Sequence, residues 1–253
     1  MSSKNFFSNI PIYIINLEDS YDRKEHVLNE FKDFEANIEF ISAVDGRDSN
    51  YFYDNYTVHY NSKINLTTCL IAVICSHAKA IHKAYQLGLN KVCIFEDDVH
   101  LDLIKNIDFN LDDICNLNND YEAIQLFYTE NIKINFDDYI KNGLKLIKRD
   151  INYSGTAYII NRIGMENFLN SVINTNGENF FKIIPSIIDP EDIVFNHINT
   201  YIINHPIVFY YFNSMTFYNY TTDNLNDKEN CQLIHLRTKN LLLELYKKII
   251  PNT

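Results

Sequence analysis

Three strand-length apolar runs, separated by two stretches of helical spacing, occupy the first hundred residues, and this alternation most limits what the chain can fold into. Residues 10–17 (IPIYIINL) form a continuous apolar run, the pattern of a strand buried on both faces. Asp19 and Ser20 follow as candidate N-caps, and Val27, Leu28, Phe31 and Phe34 recur at helical spacing, which predicts an amphipathic helix over 21–34. A second strand is predicted over 38–44, ending in the turn pair Asp45-Gly46. Leu70, Val73, Ile74, His77, Ile81 and Tyr85 then share one helical face, and Gly88 supplies the C-cap. The third run is 91–95 (KVCIF). The tyrosine-rich stretch 51–60 has no period and reads as a loop. Further strands are expected over 121–127, 144–149 and 153–160, with helices over 162–173 and in the tail over 239–250.

Strand, helix, strand, helix, strand implies βαβ units, hence an α/β fold with a mostly parallel central sheet flanked by helices. No repeat or Gly/Ser-rich linker divides the chain, so residues 1–253 are expected to form a single domain. In such sheets ligands bind beyond the carboxyl ends of the strands. That edge would collect Asn16-Leu17-Glu18, Asp45-Gly46 and Glu96-Asp97-Asp98.

Composition excludes several functions. A net charge of −11 leaves no basic surface to release counterions from a phosphate backbone, so no nucleic-acid partner is expected. The longest apolar runs fall far short of the roughly 20 residues a bilayer requires, and the opening residues lack a signal-peptide pattern. A cytoplasmic protein with no transmembrane segment is expected. Cys69, Cys75, Cys93, Cys115 and Cys231 form no CxxC pair and read as reduced thiols, mostly buried.

The acidic triplet is the feature with most chemistry in it. Adjacent carboxylates raise one another's pKa and repel unless a cation stands beside them. Mn2+ or Mg2+ meets that need, taking oxygen ligands from one or two carboxylates, water and substrate phosphates. In extended backbone alternate residues point the same way, which makes Glu96 and Asp98 the natural metal ligands and turns Asp97 toward a neighbouring strand end or the substrate. The alternative is a solvated acidic turn.

With these blocks in place the chain resembles glycosyltransferase family 25, which includes lipopolysaccharide and procollagen galactosyltransferases. Tyr13-Ile14-Ile15-Asn16-Leu17 with Asp22-Arg23 is similar to the family's opening block. Phe40-Ile41-Ser42-Ala43-Val44-Asp45-Gly46, Ser76-His77 with Ala80-Ile81, and Phe95-Glu96-Asp97-Asp98-Val99 resemble three more, in the family's order. Weaker similarity runs through Gly155-Thr156-Ala157-Tyr158-Ile159-Ile160 with Arg162 and Gly164, and through Pro190-Glu191-Asp192-Ile193-Val194-Phe195. The resemblance covers about 10–215, leaving 216–253 as a divergent C-terminal segment ending in a helix. Ala72 and Val73 stand where the family usually has Gly-Cys.

The resemblance implies a GT-A-type fold, a UDP-sugar donor, Mn2+ or Mg2+ held by the EDD motif, and inverting transfer of a hexose, galactose or glucose, to a glycan, lipid-linked or protein acceptor. By similarity Asn16 and Arg23 would contact the nucleotide, with Arg23 neutralising phosphate. A surface ion pair is the alternative for Arg23. Asp45 would accept from a ribose hydroxyl, or is simply the turn residue. His77 lies on an apolar helix face, where a satisfied core histidine is the usual finding; the family block makes it a site candidate. Lys79 is a weaker phosphate candidate. Transfer also needs a base for the acceptor hydroxyl, for which Asp192 is the candidate, with Asp189 and Glu191 behind it. Its alternative is a helix N-cap. His205 and His235 are both candidates to complete the metal site, and tyrosines from 51–60 or 210–220 to stack on sugar. Two other functions fit the same residues: a catalytically inactive binding protein of this fold, and a metal-dependent phosphohydrolase or nucleotidyltransferase.

Overall fold

Side-chain alternation in two central strands builds the two faces of the core. In Ile12–Asn16 (β1) every residue is buried, with Ile12 and Ile14 packed in one apolar cluster and Tyr13 and Ile15 in another. A strand with helices on both faces of its sheet has to be apolar on both. The computed structural model describes residues 5–7, 9–55, 57–59, 68–128, 132–149, 154–172, 180–182, 194–210, 240–241 and 244. After β1 come α1 (Tyr21–Phe31), β2 (Ile38–Ser42), α2 (Ser49–Asn55), β3 (Thr57–His59), α3 (Thr68–Gln86), β4 (Lys91–Glu96) and β5 (Val99–His100). A 3-10 turn at Asp102–Asn106 leads to α4 (Leu111–Cys115), β6 (Ala123–Gln125), α5 (Ile132–Asn142), β7 (Leu146–Lys148), β8 (Ala157–Asn161) and α6 (Arg162–Val172). The described chain continues with β9 (Phe180–Lys182), β10 (Thr200–Ile203) and β11 (Phe209–Tyr210).

Seven strands form one mixed sheet in the order β2-β1-β4-β8-β6-β10-β7. β2, β1 and β4 are mutually parallel, β8 runs against β4 and β6, β10 is parallel to β6, and β7 runs against β10. Five strands therefore share one direction, and the expected α/β sheet flanked by helices is what the chain forms. β4 repeats the alternation of β1: Cys93 and Phe95 join the cluster that holds Val27 and Phe31 of α1 and Ile114 of α4, while Val92 and Ile94 join the one holding α3 and α6.

Several local expectations change. The stretch read as a loop over 51–60 carries α2 and β3. Asp48 Oδ1 accepts from the backbone N–H groups of Asn50 and Tyr51, capping a helix whose Phe52 is buried, and neither signal is periodic. Helix α1 stops at Phe31, short of Phe34, and Leu28 is exposed, so its buried stripe rests on Val27 and Phe31. Gly88 follows α3 in the left-handed region (φ +72°), where a C-cap glycine belongs. In the tail, Asn240, Leu241 and Glu244 are helical and Leu241 packs against the core. The rest of the helix expected over 239–250 lies outside the described residues, as do Asp189, Glu191, Asp192, Cys231, His235 and the tyrosines of 211–220. Cys75, Cys93 and Cys115 are buried, Cys69 is half-buried, and all four are free thiols.

Candidate active site at the strand ends

Parallel pairing brings the carboxyl ends of β2, β1 and β4 side by side, with Asn16 opposite Ser42 and Ile15 opposite Glu96. The antiparallel β8 begins at the same edge, since Phe95 pairs with Ala157 and the Glu96 N–H donates to the Thr156 carbonyl at 2.9 Å. β6 ends there too, and its buried Gln125 donates to the Ser154 carbonyl at 2.8 Å. Helix α1 starts five residues after β1, so its first turn, with Arg23, stands over this edge.

The acidic triplet does not spread into solvent. Asp97 and Asp98 are 5% and 4% exposed, and Glu96 is half-buried. Asn16 Nδ2 donates to Asp97 Oδ2 at 2.7 Å, and Arg23 Nη1 lies 3.0 Å from Asp97 Oδ1. The other guanidinium nitrogen, Nη2, lies 3.0 Å from Asp98 Oδ2. Half-buried Arg23 thus forms a long-range clamp on two buried carboxylates, not a surface ion pair within its own helix. Asp98 Oδ1 and Arg23 Nε are buried with no hydrogen-bond partner among the described residues. Burial pushes the Asp98 carboxyl up to about 7, against the pull of Arg23 and with help from Glu96 and Asp97. Burial raises Asp97 as well, opposed by Arg23 and Asn16.

Residues 97 and 98 form a turn and not extended strand, so the alternation expected to set Glu96 beside Asp98 and turn Asp97 away does not hold. Asp97 and Asp98 share Arg23, and Glu96 meets a different partner. His77, 2% exposed on the inner face of α3, places Nε2 3.3 Å from Glu96 Oε1 and Nδ1 3.0 Å from the Tyr158 hydroxyl. The two readings of His77 meet here, since it is a satisfied core histidine and also touches the triplet. Its neighbour Ser76 accepts from the Val44 N–H at 2.8 Å, which fixes the chain leaving β2 against α3. Asp45 is engaged by Arg47, whose Nε lies 2.9 Å from Asp45 Oδ1 and whose Nη2 lies 2.7 Å from Asp19 Oδ2. The hydrogen bond from the Arg47 side chain holds the Asp45 carboxyl below its ordinary value. Lys79 donates to the Ser42 carbonyl at 2.9 Å.

Asn16, Arg23, His77, Glu96, Asp97 and Asp98 are therefore one connected cluster, with Asp45 and Lys79 at the end of the neighbouring β2. His205 is placed elsewhere. It is fully buried against Phe109, Phe136 and Tyr139, with Nδ1 2.8 Å from the Pro206 carbonyl, and burial pulls its pKa down to about 4. Enclosed by aromatic rings, that histidine is a core residue and not the one to complete a metal site. Gln125 and Arg47 carry no site signal in the sequence, and Tyr158 enters there only within a block of weaker family similarity. Tyr158 and Gln125 sit in short apolar strands, where nothing marks a polar group aimed at the strand ends, while Arg47 directly follows the Asp45-Gly46 turn.

A mixed α/β sheet with a polar cluster where its parallel strands end is the arrangement of an enzyme that binds its ligand at the strand tips. The sequence model of "Glycosyltransferase family 25 (LPS biosynthesis protein)" matches residues 9–183, more than half of the chain. The chain belongs to glycosyltransferase family 25, and that membership indicates glycosyltransferase activity. No curated protein sequence matches it. Among the described residues no helix is long and apolar enough to cross a membrane.

Proposed function

We propose that this protein transfers a hexose, galactose or glucose, from a UDP-sugar to an acceptor hydroxyl on a glycan, lipid-linked or protein substrate, with inversion and with Mn2+ or Mg2+. The observation that carries the reading is the orphaned Asp98 Oδ1, a buried carboxylate oxygen with no described partner, next to half-buried Glu96. Such an oxygen costs about 1–3 kcal/mol unless something accepts its lone pairs. An all-oxygen donor set fits a hard divalent ion, with Glu96 and Asp98 holding it and donor phosphates or water completing the shell. Bound there, the ion would supply positive charge to the departing diphosphate.

The protein's own groups have separate tasks. His77 and Tyr158 hold Glu96 in place. Asn16 and Arg23 hold Asp97 and Asp98 together before any ligand arrives, so little reorganisation remains when it binds. Arg47, paired with Asp45 and Asp19, and Lys79, on the Ser42 carbonyl, are the cations proposed to meet a nucleotide diphosphate at the end of β2. Asp192 is proposed as the base that takes the acceptor proton, on the sequence argument alone.

The test is a panel of nucleotide sugars assayed with and without Mn2+, for the native chain and for Asp98→Ala. Metal-dependent turnover that falls by about 100-fold or more in the variant is expected, the size of losing one strong electrostatic contact to a transition state. Undiminished turnover by Asp98→Ala would sink the reading. One observation favours a second reading: Arg23 already pairs with both Asp97 and Asp98, the kind of cation a metal-independent sugar-nucleotide binder would use there. That protein would bind UDP equally with and without Mn2+ in calorimetry and turn nothing over.

A further inference from the structure

Helix α1 presents more than Arg23 to the segment that follows the triplet. His26 and Glu30 follow Arg23 by three and seven residues, so all three share one face of the helix. His100, on β5, lies against them. Its Nδ1 is 3.0 Å from Glu30 Oε1, and the Leu101 N–H donates to Glu30 Oε2 at 2.8 Å. His26 Nε2 is 2.8 Å from the Val99 carbonyl oxygen, and the two imidazoles meet edge to face at 5.0 Å. One donor atom from each of His26, Glu30 and His100 lies within 4.8 Å of the other two, and all three residues are half-buried. Among the described residues this is where three such donors gather.

We propose that His26, Glu30 and His100 bind a borderline divalent ion, Zn2+ foremost, at a site separate from the acidic triplet. The supporting bonds are those of a metal site already oriented. A carbonyl oxygen can only accept, so Val99 fixes His26 with its proton on Nε2 and leaves Nδ1 as the ligand nitrogen, the outer-shell arrangement typical of metal-bound histidine. The Leu101 N–H does the same for Glu30, holding one oxygen while the other faces His100. The 3.0 Å between His100 Nδ1 and Glu30 Oε1 is close to the roughly 3.3 Å that separates two ligands of a tetrahedral zinc with bonds near 2.0–2.1 Å. The ion takes the place of the proton shared by that pair, and the proton moves to His100 Nε2. A small side-chain rotation brings the third donor in, and a half-buried site leaves room for water as the fourth ligand.

Two imidazoles and one carboxylate suit zinc better than Mg2+ or Mn2+, and the Irving–Williams order sets Zn2+ above Fe2+ at such a set. The site spans α1, which carries Arg23, and the strand two residues beyond Asp98. An ion there would fasten the helix to the strand end whether or not a sugar donor is bound, so the proposal stands apart from glycosyl transfer.

The full chain, stripped of metal with a chelator, is titrated with Zn2+ against a chromophoric chelator and with Co2+ by absorption. One tight equivalent is expected, with cobalt bands of a four-coordinate nitrogen and oxygen site and no thiolate charge transfer. His100→Ala and Glu30→Gln should each weaken binding by about 100-fold or more, beyond the effect of losing an outer partner. Asp98→Asn should bind as the native chain does. In the native chain, with no variant involved, Zn2+ should protect His26 and His100 from diethyl pyrocarbonate, read by mass spectrometry. A thiolate band, loss of binding in Asp98→Asn alone, or unprotected His26 and His100 at saturating Zn2+ overturns the site.

Discussion

Asn16 Nδ2 lies 2.7 Å from Asp97 Oδ2, a hydrogen bond that ties the tips of two adjacent parallel strands across 81 residues of sequence. Arg23 takes the other oxygen of the same carboxylate, so Asp97 is held from both sides. In Asn16→Ala that oxygen loses its donor in a buried setting, which costs about 1–3 kcal/mol. Urea unfolding should show a loss of that size, with the triplet still assembled by Arg23. A neutral result would mean that water replaces the amide freely.

Arg23→Gln removes the guanidinium from two buried carboxylates. Breaking a buried pair on one side costs about 3–5 kcal/mol when the remaining charge cannot adjust. Here it can, because burial has raised both acids. Proton uptake neutralises them as pH falls, so the loss measured by urea unfolding in metal-free buffer should be larger at pH 8 than at pH 5. A loss independent of pH would show that the clamp matters through packing and not through charge.

Tyr158→Phe deletes the hydroxyl on His77 Nδ1 and leaves its partner Glu96 in place. If His77 serves to aim Glu96 at an ion, the variant should need several-fold more Mn2+ for half-maximal turnover while keeping most of its rate at saturating metal. A fall in rate that excess metal does not repair would assign Tyr158 a direct part in the reaction.

How far the site could be read in the sequence follows from which residues carried a local signal. The apolar runs ending in Asn16 and Glu96 are strands buried on both faces, so hydrophobicity alone marked them, and parallel order then required their tips to coincide. Asp97 and Asp98 were legible because three acids after an apolar strand are unusual. What stands beside them was marked by the family resemblance alone, which assigned Asn16 and Arg23 to the nucleotide and not to the acids. Arg23 looks like any first-turn arginine, and only the path of α1 back over the sheet turns it toward Asp98. Helix α2 carries no period, because among its described side chains the buried one, Phe52, lies in a run of tyrosines and asparagines. The same holds for His205, whose aromatic enclosure is assembled from Phe109, Phe136 and Tyr139, each distant in sequence.

Asp45-Gly46 has the sequence of a turn, but the role of Gly46 is close approach. A Cβ there would stand 2.6 Å from the Thr68 carbonyl oxygen and 2.8 Å from the Ala72 side chain, in the first turns of α3. Backbone would have to move, and overpacking of this kind costs about 1–3 kcal/mol. Gly46→Ala should lower the thermal midpoint and also weaken nucleotide binding, since the same turn positions Asp45 and Arg47. Unchanged stability would show that α3 is free to shift.

The pH response of folding should carry a separate signature from His205. Burial pulls its pKa from 6.5 down to about 4, so between those values the unfolded chain binds a proton that the folded chain does not. By linkage this contribution is fully present above about pH 6.5 and is lost as pH falls toward 4. The difference of 6.5 − 4, at about 1.4 kcal/mol per unit, sets an upper size of about 3.5 kcal/mol. Asp97 and Asp98 act in the opposite sense, because acids with raised pKa destabilise the fold as pH rises. The total curve therefore mixes two slopes, and a difference separates them. His205→Phe fills the aromatic enclosure without a titrating group and gives up the bond to the Pro206 carbonyl, worth about 1 kcal/mol. Subtracting its urea stability from that of the native chain at pH 7.5, 6.5, 5.5 and 4.5 should give a positive gap near neutrality that shrinks and then reverses with acid. A gap that stays constant across that range would mean that His205 titrates alike in the folded and unfolded chain, and its burial would then have no electrostatic cost.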